Sequence, residues 1–176
     1  MFQRDFSFVH KYFMAEKQAG LLFVITGSVA MALSVIFFFF IKSNPNFYKG
    51  AAIPLLAIGL LIGVVGYTVY ARSDKQRLSV AYEMGLNPGM YIKNQELPRM
   101  KKVMQNFIIY RYIEIILTLT GVAMFFFFRN KADKQLLTGL GLALAFMSVV
   151  ALVADYVAEK RSSVYTKELE NSISSK

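Results

Sequence analysis

The chain has 176 residues, of which 56% are hydrophobic, and carries 20 basic against 11 acidic side chains with a single histidine. That hydrophobic share is above the roughly 45–50% of soluble domains, and the absence of cysteine excludes disulfides, thiol redox chemistry and cysteine-ligated metals. A formal charge of +9 would point to nucleic acid in a soluble protein. Here the apolar excess sits in four blocks, so where the charge lies matters more than its size, and nucleic acid is not expected as a partner.

Residues 1–19 open the chain. Phe2, Phe6, Val9 and Phe13 recur at helical spacing opposite Arg4, His10, Lys11 and Lys17, which predicts an amphipathic helix lying in the headgroup region. The first apolar block, 20–41, has no charged residue and is long enough to span a bilayer, which takes about 20 apolar residues in a helix. Ala30 and Ala32 resemble a signal-peptide cleavage site. However, Asp5 and Glu16 are out of place in a positive leader, and the apolar run continues through Phe37–Phe40, so cleavage is not expected. Asn44-Pro45-Asn46 reads as a tight turn. The second block, 51–71, is again uncharged.

Residues 72–106 form a basic connection. Its first part continues the second helix, with Leu78, Tyr82 and Leu86 on one face, until Gly85, Asn87, Pro88 and Gly89 break it. Pro98 is expected to begin another helix, where a missing N–H does no harm. Leu97, Met100, Met104 and Phe107 form its apolar face, while Arg99, Lys101, Lys102 and Gln105 face away. That basic face suits anionic membrane lipids, or serves only to set orientation. The third and fourth blocks, 107–128 and 136–158, follow, and the polar tail 159–176 is expected to fray from Ser162 onward.

The fold class is therefore an all-α membrane protein of four transmembrane helices, read as two helical hairpins. Fifteen of the basic residues lie before the first block, between the second and third together with Arg111 just inside the third, or in the tail; the two other connections hold five. The positive-inside rule then places both termini in the cytoplasm, as for a bacterial inner-membrane protein. Gly59, Gly63 and Gly66 mark a close-packing face on the second helix, and Gly141, Ala145, Ser148 and Asp155 another on the fourth. Such faces pack within the bundle or mediate a homo-oligomer. An offset of 88 aligns Leu56-Ala57 with Leu144-Ala145, which fits either a parallel duplication or a chance match between low-complexity apolar segments.

Chemistry-bearing residues are sparse. Glu114 is the only acid well inside a block, and an intramembrane acid is by default a candidate site. Arg111 lies one turn away, which predicts a structural ion pair near the interface. Asp155, on the fourth helix, could approach Glu114. With one histidine, haem ligation, an intramembrane zinc site and a serine–histidine dyad are not expected, and neither a cofactor nor a catalytic residue is assigned. Two readings follow. The first is a non-enzymatic partner of another membrane protein, an accessory, inhibitory or immunity-type subunit. The second is a small oligomeric transporter or channel using Glu114. The first is favoured, because the spans have few polar residues with which to line a pathway; what separates the two is whether Glu114 meets a paired, packed interface or a cavity.

Overall fold

The computed structural model describes residues 6–174. Almost all of them are helical: α1 is Ser7–Phe39, α2 Pro45–Leu86, α3 Pro88–Tyr91, α4 Leu97–Phe128 and α5 Gln135–Ser174. A π-turn at Ile92–Glu96 joins α3 to α4, and a 3₁₀ turn at Ala132–Lys134 precedes α5. Four helices are long and apolar enough to cross a membrane, as the four blocks predict.

Small residues set the spacing between helices. α1 runs antiparallel along α2: a Cβ added at Gly27 would lie 2.5 Å from the Gly59 carbonyl oxygen, and one at Gly20 2.8 Å from that of Gly66. α4 packs on α5 in the same manner, Gly121 against Gly141 and Ala145. The two pairs meet where Ala51, Leu55 and Ile62 of α2 join Ala143 and Met147 of α5, with Gly50 and Gly139 set directly against the opposite backbone near the turns. Lipid offers no hydrophobic drive to bring helices together, so this close van der Waals packing is what holds them.

Asn44 is the one non-glycine residue at positive φ among those described, at 49°. It caps α2 from the left-handed region that asparagine tolerates, Pro45 supplies the first helical turn, and its amide donates to Gln135 Oε1 at 3.2 Å, tying the two turns together.

The helices are longer than the bilayer requires, and this corrects three sequence expectations. α1 has 33 residues and α5 has 40, so at 1.5 Å per residue they extend roughly 20 Å and 30 Å beyond a 30 Å hydrocarbon core. First, residues 7–19 are not a separate interfacial helix. They continue α1 straight, and Val9 and Phe13 are buried against protein rather than lipid; Phe2 and Arg4 lie outside the described residues. Second, the tail does not fray at Ser162. α5 continues to Ser174, with Ser162, Tyr165 and Leu169 buried, while Lys176 lies outside the described residues. Third, helix resumes at Pro88 rather than at Pro98. The ring of Pro98 cannot fit an α-helical interior without disturbing the carbonyl four residues back, and the chain widens there into a π-turn in which the Leu97 N–H donates to the Ile92 carbonyl.

The projecting ends form a head with its own core: Val9, Tyr12 and Phe13 of α1, Val80 and Met84 of α2, Ile92 and Met100, and Tyr165 and Leu169 of α5.

Candidate functional site

Two polar assemblies result, one in the head and one in the span. In the head, Glu96 is 1% exposed, and its carboxylate accepts from Arg99 Nε at 2.8 Å, Arg99 Nη2 at 2.6 Å and the Tyr165 hydroxyl at 2.8 Å. Tyr12 stacks on Tyr165 with ring centroids 4.1 Å apart and shares a 3.4 Å hydrogen bond with Ser162. Burial, then the nearby Glu16, pushes the Tyr12 phenol up to about 12; burial and Glu96 push Tyr165 up as well. Arg161 donates to Glu16 at 3.0 Å. Lys17 bonds Asp74 at 2.5 Å, which raises the lysine and lowers the aspartate. Glu96, Glu16 and Asp74 each have a cation, so the network is built for fixing the head.

Arg99 therefore departs from the expected membrane-facing basic face. It turns inward to Glu96 and over the Phe13 ring, 5.9 Å from its centroid, while Lys101 and Lys102 remain exposed. The available sign was the three-residue spacing of Glu96 and Arg99, but nothing in the sequence shows that Tyr165, 69 residues away, closes over it.

The span assembly has the opposite character. α5 presents Ala143 and Met147 to α2, and Gly141, Ala145 and Ser148 lie towards α4. Within the span α4 thus leans on α5 and stands off α1 and α2, which it meets only in the head. The gap is a cavity of about 460 Å³, lined by Phe23, Ile58, Ile62 and Val65 on one side and Ile113, Glu114, Leu117, Ser148 and Asp155 on the other. A second cavity of about 340 Å³ adjoins it toward the head, sharing Phe23, Val65, Tyr110 and Asp155 and reaching Arg72, Gln76 and Asn106.

Glu114 is not ion-paired with Arg111, contrary to the sequence expectation. Arg111 bonds Glu159 of α5, a residue the sequence reading passed over. The Glu114 side chain faces Asp155 instead, so the approach of these two acids across α4 and α5 is present. Glu114 is 9% exposed and its Oε2 has no hydrogen-bond partner; nor has the hydroxyl of Ser148, which is 1% exposed. The contrast with other hydroxyls in the spans is sharp. Ser34, Thr68, Thr118 and Thr120 each donate to a backbone carbonyl at 2.8 Å, the usual way of satisfying a hydroxyl in lipid. Ser148 was legible only as a small residue on the Asp155 face. Of the three glycines assigned to packing, Gly59 and Gly66 make close contact, but Gly63 does not use its own side: a Cβ there would have 4.0 Å of clearance.

Fold and site together define a four-helix membrane-type bundle with an acid pair on an internal cavity. No protein-family model, curated protein or solved structure matches the chain, so its function is read from this geometry.

Proposed function

We propose that this is a non-enzymatic, multi-pass membrane protein of the bacterial inner membrane that handles a proton or cation at Glu114 and Asp155, as a small transporter or channel would. The observation that supports this is the unneutralised acid pair on a cavity. Two carboxyls facing each other in a low-dielectric site, with the neighbouring Arg111 already engaged by Glu159, can hold a proton between them or accept a cation. On this reading the helices form two hairpins, α1 with α2 and α4 with α5. The basic head and both termini lie in the cytoplasm, following the 15-to-5 asymmetry.

A second reading, an accessory, inhibitory or immunity-type subunit that binds another membrane protein, rests on a different observation. Leu78, Tyr82, Leu86 and Met90 are each more than 60% exposed along the head, beyond the reach of lipid if α2 stands upright.

The test is proton movement in vesicles holding the full chain and a pH-sensitive dye. Glu114→Gln and Asp155→Asn should each abolish a flux that the wild type supports, because a neutral amide cannot take up and release the proton. A wild type that moves no protons, or variants that move them equally well, would leave the partner-binding reading in its place.

A further inference from the structure

We infer that the cavity beside Glu114 binds an amphiphilic organic ammonium ion, its charged nitrogen at Glu114, Asp155 and Ser148 and its apolar body against Phe23, Ile62 and Leu117. This deepens the reading above and depends on it.

Three features of the site select that ligand class. The first is the pair of orphaned polar atoms. Glu114 Oε2 and Ser148 Oγ are buried on the same cavity and lack partners, and leaving such groups unmet is costly, more so for a charged one. A ligand that donates to both a carboxylate and a hydroxyl relieves both costs, and a protonated amine carries up to three donors directed outward from one centre. An anion would meet the two acids head-on.

The second is size. A cavity of about 460 Å³ is far larger than a water, whose share of liquid volume is roughly 30 Å³, and falls within the range of about 300–1,000 Å³ typical of small-molecule sites. Hard metal ions require about six or more oxygen ligands, and the described residues contain no group of three or more His, Asp or Glu placed to hold a metal. The remaining wall is apolar, so most of the ligand must be apolar too.

The third is access. Within the span α4 packs along α5 but stands away from α1 and α2, so the cavity faces the slot between the helix pairs rather than a sealed interior. A molecule with an apolar body partitions into the membrane first and can enter sideways. The ring of Phe23 and that of Tyr110 flank the route, and aromatic faces attract an organic cation as it passes. The adjoining cavity toward Arg72, Gln76 and Asn106 reaches Asp155 and gives water a path to that acid.

The experiment uses the full chain in lipid nanodiscs and radiolabelled octylammonium as the probe. Octanol and octanoate carry the same tail with no charge and with the opposite charge, and potassium carries the charge without the tail. Octylammonium should bind saturably, and excess octanol, octanoate or potassium should not displace it. Glu114→Gln should weaken binding roughly ten- to hundred-fold, the loss that removal of one charge-assisted hydrogen bond implies. Ala154→Phe keeps both acids and fills the cavity wall, so it should abolish binding while the protein elutes as the wild type does. Displacement by octanol as effective as by the amine would show an unselective apolar pocket, and displacement by potassium would show a small-ion site; either overturns the inference. Proton flux that Glu114→Gln abolishes, in a wild type that binds no octylammonium, would overturn the ligand class and leave the acid-pair reading standing. Absence of both would remove that reading as well.

Discussion

Replacing Gly27 with alanine adds one methyl group at the tightest point between α1 and α2. The new Cβ would sit 2.5 Å from the Gly59 carbonyl oxygen, 2.7 Å from the Gly63 nitrogen and 2.8 Å from the Gly63 Cα, and all three are backbone atoms that no rotamer change can move. Carbon contacts are most favourable near 3.5–4.0 Å, so the helices must part by roughly 1 Å along this segment. Retreat on that scale forfeits a quarter to a half of the attraction at each lost contact, and in lipid nothing hydrophobic compensates. Overpacking of this kind typically costs about 1–3 kcal/mol. Gly63→Ala is the matched control on the facing helix. Its Cβ would find 4.0 Å to both Gly27 Cα and Met31 Cε, an ordinary contact, and alanine's higher helix propensity favours it by up to about 1 kcal/mol. Unfolding of both variants in mixed micelles, followed by circular dichroism, should place Gly27→Ala below the wild type and Gly63→Ala level with it or above. Equal losses at the two positions would show that the α1–α2 contact does not run through Gly27, and the close approach described here would be wrong.

Two further outcomes follow from the head. Cysteines introduced at Ser79 and Ser163 should resist a membrane-impermeant thiol reagent in intact cells, while one at Asn46 should react; the reverse pattern would invert the proposed sidedness. The alkaline limb of stability should be set by Tyr12 and Tyr165, whose folded phenols titrate above the ordinary tyrosine value of 10.0. A raised acid contributes stability that is complete below pH 10.0 and declines as pH rises, for Tyr12 until about 12. Tyr165→Phe should be less stable than the wild type at neutral pH by about 1.5–3 kcal/mol, having lost a hydrogen bond to a carboxylate, yet decline less steeply above pH 10.0. Parallel decline in denaturant titrations across that range would rule Tyr165 out as the source.

Features that depend on composition along the chain are legible without the fold. Four long, largely apolar runs can meet lipid only as helices, because every backbone group must be satisfied within its own segment. The turn at Asn44-Pro45, the close approach at Gly59 and Gly66, and the candidacy of Glu114 were all readable for the same local reason. What the tertiary structure decided were the pairings between residues distant in sequence. Arg111 has Glu114 one turn away and also Glu159 across the α4–α5 contact, and spacing cannot show which wins; the fold aims it at Glu159 and leaves Glu114 beside Asp155. Val9 and Phe13 have the same periodicity whether they face headgroups or protein. Only the packing of α5 against α1 beyond the span, with Tyr165 stacked on Tyr12 and bonded to Glu96, turns a surface amphipathic segment and a polar tail into a buried head. The cavity is likewise a property of how α5 divides its faces between α2 and α4, since a gap exists only once the helices on both sides of it are in place.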